Sequence, residues 1–180
     1  MPRNIEIKAR IDSAEAFVFR AAKISNEGPI EIIQDDTFFN CATGRLKLRA
    51  FSKTEGELIF YRRADQAGPK ESFYLRSPTS DPDAMRELLT LAYGQSGRVR
   101  KHRTLYLAGR TRIHLDRVAG LGEFLELEVV LKDGEAAQAG VNEAYAIMAR
   151  LGLDPSRLVE GAYVDMPANS GDPPAEGRLG

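Results

Sequence analysis

Arg45, Lys47 and Arg49 occupy alternate positions, Lys101 and Arg103 repeat that spacing, and Glu126 and Glu128 repeat it with the opposite sign. Residues two apart on a β-strand share a face about 7 Å from one another. Like charges aligned in this way repel unless counter-charges or a ligand lie between them. The basic sets suit a polyphosphate, because guanidinium groups make bidentate, charge-assisted contacts to phosphate oxygens and ammonium groups add compact positive charge. The paired carboxylates suit a hard divalent cation such as Mg²⁺, which bridges phosphate oxygens. Together they describe a site for phosphoryl chemistry, which needs mainly positioning and neutralisation of charge.

Such charges need strands to align them, and period-two alternation runs along most of the chain. It predicts eight strands: Asn4 to Arg10, Ile30 to Asn40, Arg45 to Phe51, Glu57 to Ala64, Glu71 to Ser77, Val99 to Ala108, Arg110 to Asp116 and Glu123 to Lys132. Three segments carry helical spacing instead: Ser13 to Ile24 after a candidate N-cap at Asp12, Asp81 to Ala92, and Gly134 to Leu151. Turn residues separate the elements, Gly94 to Gly97 among them. Eight strands are about the number at which a sheet closes around a small ligand. The expected fold is therefore α+β, a closed eight-stranded antiparallel β-barrel with a charged lumen and about three helices covering its apolar outside. One domain spans residues 1–166, and the Pro- and Gly-rich segment 167–180 reads as a disordered tail.

Composition narrows the function classes. The 180 residues carry 25 Lys plus Arg against 26 Asp plus Glu, which argues against a surface that coats nucleic acid. That neutrality is a sum of opposed blocks. Residues 45–63 and 98–117 hold 13 of the 25 basic residues and only three acids, whereas 123–160 holds eight acids and three bases. One cysteine, no secretory leader and no apolar run of roughly 20 residues make a cytoplasmic protein without a membrane span the expectation. Walker A, nucleophile-elbow, zinc and dinucleotide motifs are absent. No aromatic residues are interleaved among the basic strands as single-strand nucleic-acid readers require.

Several segments carry a family resemblance in chain order. Asn4-Ile5-Glu6-Ile7-Lys8 resembles the E-x-E-x-K signature of the CYTH superfamily, the triphosphate tunnel metalloenzymes that include class IV adenylyl cyclases and thiamine triphosphatases. Asp36-Thr37-Phe38-Phe39 with Gly44-Arg45-Leu46-Lys47-Leu48-Arg49 is similar to its D-T-Y-F and G-R-L-K-L-R runs, and Arg112 to Asp116 with Leu121 to Glu128 to its R-I-x-x-D and L-G-x-F-x-E-x-E block. Gly161 to Asp165 resembles the closing S-Y-x-D stretch.

The resemblance implies a triphosphate-bearing substrate (ATP, thiamine triphosphate or inorganic triphosphate) and Mg²⁺ or Mn²⁺. Carried over by position, Glu6, Glu126 and Glu128 become metal ligands with Asp116 as helper. Lys8, Arg45, Lys47, Arg49, Arg63, Lys101, Arg103 and Arg112 become triphosphate ligands, Lys8 and Arg63 also being the catalytic candidates. Asn4 stands where the signature has its first Glu, which removes a charge and leaves an amide oxygen. The favoured activity is adenylyl cyclisation of ATP to cyclic AMP and pyrophosphate. A triphosphatase and a non-catalytic nucleotide or polyphosphate binder are the alternatives, and a second copy of the chain is a candidate partner. Each assignment competes with a plainer one. The charged strands could be solvated faces, Asp35 and Asp36 read as turn or surface residues, His114 as a hydrogen-bonded histidine, and Tyr163 as packing that could approach the lumen's mouth. Of adjacent Arg62 and Arg63 only one can face inward, and the register favours Arg63.

Overall fold

The computed structural model describes residues 2–167. Eight strands, β1 (Arg3–Ile11), β2 (Glu27–Phe39), β3 (Arg45–Ala50), β4 (Gly56–Arg63), β5 (Lys70–Thr79), β6 (Gln95–Ala108), β7 (Thr111–Val118) and β8 (Gly122–Val130), run antiparallel to their neighbours. Their order is β1-β5-β4-β3-β2-β6-β7-β8, and β8 pairs back onto β1, so the sheet closes in a ring. Closure gives every strand an inner and an outer face, and alternation sorts the side chains between them.

The outer face is apolar where helices α1 (Glu15–Ile24), α2 (Pro82–Tyr93) and α3 (Ala137–Leu151) cover it and charged along β2 and β6. Ile5, Ile7, Ile113, Leu115, Leu125 and Leu127 point outward into a core completed by Ala21 of α1 and by Ala144, Ile147, Met148 and Leu151 of α3. Each such large side chain contributes about 1.5–3 kcal/mol when fully buried. Gly140 lets α3 approach closely, since a Cβ there would lie 2.6 Å from Ile5 Cγ1 and 2.7 Å from Leu131 Cδ2. A smaller core joins Leu89 and Met85 of α2 to Phe39 and Leu48. Among the described residues no helix is long and apolar enough to cross a membrane.

Several boundaries differ from the sequence expectation, those of α1 and β6 among them. Asp12 does not cap α1, which begins at Glu15; the Glu123 carboxylate accepts the Ala14 N–H, and Asp12 pairs with Arg157 instead. Asp81, by contrast, caps α2 by accepting the Ala84 N–H at 3.0 Å. The expected turn at 94–97 is largely strand, because β6 starts at Gln95 and runs beside the end of β2. The expected tail at 167–180 lies outside the described residues apart from Pro167. After α3 the chain folds back along β1, where the Val159 N–H donates to the Lys8 carbonyl at 2.9 Å, and a short 3₁₀ turn at Tyr163–Asp165 closes one end of the ring.

Candidate active site

Cross-strand register decides which charges meet on the inner face. Lys8 of β1 sits opposite Glu126 of β8, and His114 of β7 sits opposite the same Glu126. Arg112 faces Glu128, Arg103 faces Asp116, and Asp36 faces Arg49. Opposite charges thus alternate around much of the ring, as stable cross-strand pairing requires. Glu6 and Glu128 are the exception, being like charges directly opposite one another.

Most of those side chains line one central cavity, with His114 and Asp116 buried behind its wall, and the wall itself carries eight cationic residues against five carboxylates. Arg49 grips Asp36 through Nε and Nη2 at 2.8 Å each, and Lys47 donates to the same carboxylate at 2.7 Å. Burial alone would raise the Asp36 carboxyl, but Arg49 and Lys47 outweigh it and hold the group well below the ordinary range. Burial, reinforced by Arg49 and Lys101, brings the Lys47 ammonium down to about 7 despite Asp36. Lys8 is brought down to about 8, chiefly by burial and then by Arg63 and Lys101 against the pull of Glu126. Its Nζ lies 3.8 Å from the Tyr163 ring centroid and 3.4 Å from Glu126. Arg63 bonds Glu6 at 2.6 Å and the Gly161 carbonyl at 2.9 Å.

The inward set includes most of the sequence-expected residues and re-sorts others. Glu6, Lys8, Lys47, Arg49, Arg63, Lys101, Arg103, Arg112, Glu126 and Glu128 line the cavity, whereas Arg62 is exposed over the Phe60 ring. Arg45 lies at the end of its strand in an adjoining depression, bonded to Asp165 at 2.6 Å and Asp65 at 3.3 Å. Asp116 is fully buried, and both its oxygens are engaged: Arg103 at 2.7 Å twice, Lys101 at 3.1 Å and the Tyr163 hydroxyl at 2.9 Å. Its geometry is that of an anchor for cations.

Asp36 is a correction to the surface reading, since β2 continues through Phe39 and turns Asp36 inward while Asp35 faces out to Arg98 and Arg100. Glu57, Tyr74 and Arg76 are lining residues that sequence reasoning missed. Period-two counting from Arg63 or Ser72 along each strand would have found them. Tyr163 reaches inward from the 3₁₀ turn and packs edge-on to Phe124 with ring centroids 4.8 Å apart.

Among the described residues one group of ligand atoms could hold a metal. His114, Glu126 and Glu128 each offer an atom within 4.8 Å of the others. Asn4, only 2% exposed on the same wall, leaves its Oδ1 without a hydrogen-bond partner among the described residues, as does Ser72 with its Oγ. Orphaned buried oxygens beside carboxylates are the chemistry a divalent cation or its water shell satisfies, so the donor set fits.

The family comparison is decisive: the CYTH domain matches residues 2–163. The chain belongs to the CYTH family. Adenylate cyclase CyaB of Aeromonas hydrophila is 24% identical over 171 residues, a span covering 89% of this chain and 86% of that one. Among solved structures, the Pyrococcus horikoshii protein PH1012 superposes with a TM-score of 0.78 at 23% identity, covering 89% of this CYTH chain and 97% of its own. A Hippeastrum protein, described as revealing a dominant triphosphatase activity, aligns at a TM-score of 0.64 and 14% identity over 92% of this chain and 93% of its own. At such identities the structures testify to a shared CYTH fold, and family membership points to enzymatic, metal-dependent chemistry on a triphosphate-bearing substrate.

Proposed function

We propose that the ring is a tunnel that binds the triphosphate of ATP and cyclises the nucleotide to cyclic AMP and pyrophosphate, with hydrolysis of a triphosphate as the second reading. The observation that carries the proposal is the surplus of cations on the cavity wall, eight against five carboxylates. Every carboxylate there is already engaged by a base and Asp116 behind the wall offsets one cation more, so the surplus that remains suits an anion of more than one charge. Lys47, Arg49, Arg63, Lys101, Arg103 and Arg112 would hold the phosphate oxygens, and Lys8 lies between Glu126 and the Tyr163 ring, within reach of the same space. The adjoining depression shares Phe38, Tyr61 and Arg63 with the central cavity and takes the organic group, with Arg45 at its rim.

Glu126 and Glu128, with His114 and the Asn4 amide oxygen, would hold the divalent cation. When bound, it neutralises phosphate charge and polarises the phosphorus–oxygen bonds. The protein's own part is electrostatic and positional: fixed guanidinium groups stabilise charge that builds on the phosphoryl oxygens and the leaving group, and the closed wall limits water. Attack by the ribose 3′-hydroxyl at the α-phosphorus and attack by water at the γ-phosphorus use the same clamp in different registers. Asp116, Arg103 and Tyr163 form the rigid base of that clamp.

Incubation with ATP, thiamine triphosphate and inorganic triphosphate in Mg²⁺ and in Mn²⁺, followed by separation of products, tests the proposal. Cyclic AMP with pyrophosphate supports cyclisation, orthophosphate supports the hydrolase, and tight binding with neither product leaves a binding module.

Two further expectations arise here. Arg49→Ala should weaken binding of inorganic triphosphate about tenfold or more while changing that of orthophosphate much less, since a charge-assisted hydrogen bond is worth about 1.5–3 kcal/mol. Equal losses for both would show that Arg49 is not a phosphate ligand. Lys47 should make binding proton-linked. With its ammonium near 7, only about a tenth is protonated at pH 8 in the free protein. Anionic oxygens raise that value and that of Lys8, which lies near 8, so binding at pH 8 should take up more than one proton, and Lys47→Met should cut the uptake to the share that Lys8 contributes. Calorimetry of triphosphate binding in two buffers of different ionisation enthalpy measures the uptake.

A further inference from the structure

The expected metal ligands do not all remain available in the folded chain. Glu6 lies opposite Glu128 in register, yet its carboxylate is held by Arg63 at 2.6 Å. Asp116 spends both oxygens on Arg103, Lys101 and Tyr163. Asn4 supplies a neutral oxygen where the family signature has a carboxylate. What remains is a different donor set. His114 is 2% exposed on β7, and its Nδ1 lies 3.4 Å from Glu126 Oε1 and 3.9 Å from Glu128 Oε1. Lys8 holds Glu126 Oε2 at 3.4 Å, Arg103 shares Oε1 with His114 at 3.2 Å, and Arg112 holds Glu128 Oε2 at 3.1 Å, which leaves Glu128 Oε1 and the His114 side of Glu126 Oε1 facing one another. The side facing His114 and Glu128 is therefore where a cation would sit. The unpartnered Asn4 Oδ1 lies on the same wall, one pleat along β1 from Glu6 and diagonal to Glu128.

We infer that His114, Glu126 and Glu128 form a mixed nitrogen and oxygen site that selects a first-row transition ion such as Mn²⁺ over Mg²⁺, with His114 as the ligand that sets the preference. The inference rests on the reading of this cavity as the metal-dependent triphosphate site and names which ion it takes. Mg²⁺ demands near-octahedral oxygen ligation and keeps several waters. Imidazole nitrogen suits first-row transition ions such as Fe²⁺, Ni²⁺ and Zn²⁺, whose affinity for nitrogen and oxygen donors rises from Mn²⁺ along the row, and even Mn²⁺, the weakest of them, accepts it more readily than Mg²⁺ does. Replacing carboxylates with an imidazole and an amide removes negative charge, which a small hard ion tolerates least. The sequence holds two histidines, and His102 lies on the outer face beside Glu31 with its side chain 43% exposed, so only His114 can supply a nitrogen inside the ring.

Mn²⁺ bound to the full chain, followed by pulsed electron paramagnetic resonance with Mg²⁺ as competitor, tests the inference without reference to turnover. The native protein should show ¹⁴N coupling from a directly bound imidazole, replaced by ¹⁵N coupling in protein grown on [¹⁵N]histidine. His114→Gln should lose that coupling. Its Mg²⁺ to Mn²⁺ dissociation-constant ratio should fall about tenfold or more, given that even outer-shell partners of metal ligands cost 10–100-fold. The labelling result needs no variant, so it decides the matter even if His114→Gln fails to fold. Mn²⁺ bound without nitrogen coupling, or an unchanged ratio in a folded His114→Gln, overturns the role of His114 and leaves the triphosphate reading intact. Binding of neither ion, with and without inorganic triphosphate, overturns the metal site and the proposed metal-dependent chemistry together.

Discussion

Glu126→Gln should lose about 10²–10³-fold of turnover on a triphosphate substrate in Mg²⁺ or Mn²⁺ while keeping the fold, an effect of the size seen when one electrostatic element of an active site is removed. Glu126 is where the β1, β6 and β7 walls converge: Lys8, Arg103 and His114 all reach it, at 3.4, 3.2 and 3.4 Å. Gln is nearly isosteric and keeps a carbonyl oxygen able to accept from Arg103. The lost charge removes the main influence that keeps Lys8 protonated, because Glu126 is the largest contribution opposing its burial. Lys8, already down at about 8, then sheds its proton near neutral pH, which spares the fold an uncompensated buried ammonium. Binding of metal-free inorganic triphosphate should change little, since the site loses one anion and, with the Lys8 proton, one cation. Full activity in the variant would sink the metal-site assignment. Parallel loss of activity and of thermal stability would show that Glu126 acts only as a structural counter-ion.

The strands, their number and the face each presents were legible from alternation, because period two is a property of single segments. What alternation does not carry is register between segments, and the missed or re-sorted residues trace to that. Asp35 and Asp36 are adjacent, and nothing local says which one turns inward; the pairing of Asp36 with Arg49 decides it. Arg45 shares its face with Lys47 and Arg49, yet it stands at the end of β3, where Asp65 and Asp165 from other parts of the chain meet it. Alternation puts His114 on one face with Arg112 and Asp116, but its contact with Glu126 follows from the β7–β8 register. Tyr163 comes from a turn after the last helix, so its position beneath Lys8 depends on tertiary closure alone. The family motifs supplied what periodicity lacked by tying Glu6, Lys8, Glu126 and Glu128 to one site.

Asp116→Asn is expected to be among the most destabilising single changes in the chain, by about 3–5 kcal/mol, the cost of breaking a buried ion pair from one side. Asp116 is fully buried and takes two hydrogen bonds from Arg103, one from Lys101 and one from the Tyr163 hydroxyl. An amide in its place removes the counter-charge of two buried cations, leaves Arg103 with Glu126 alone, and points an N–H toward other donors. For a domain of this size each kcal/mol is worth roughly 2–4 °C, so the melting temperature should fall by about 6–20 °C at neutral pH. The pH dependence separates charge from packing. Burial tends to raise the Asp116 carboxyl, but Arg103 and Lys101 hold it well below its ordinary value of 3.8. Its contribution to stability is therefore complete above about pH 5 and is lost as pH falls below the unfolded value toward the depressed folded one. The gap between the native and Asp116→Asn melting temperatures should begin to narrow as pH is lowered from 5 toward 3. A gap of constant size over that range would assign the loss to packing and would remove the charged base on which the phosphate clamp is built.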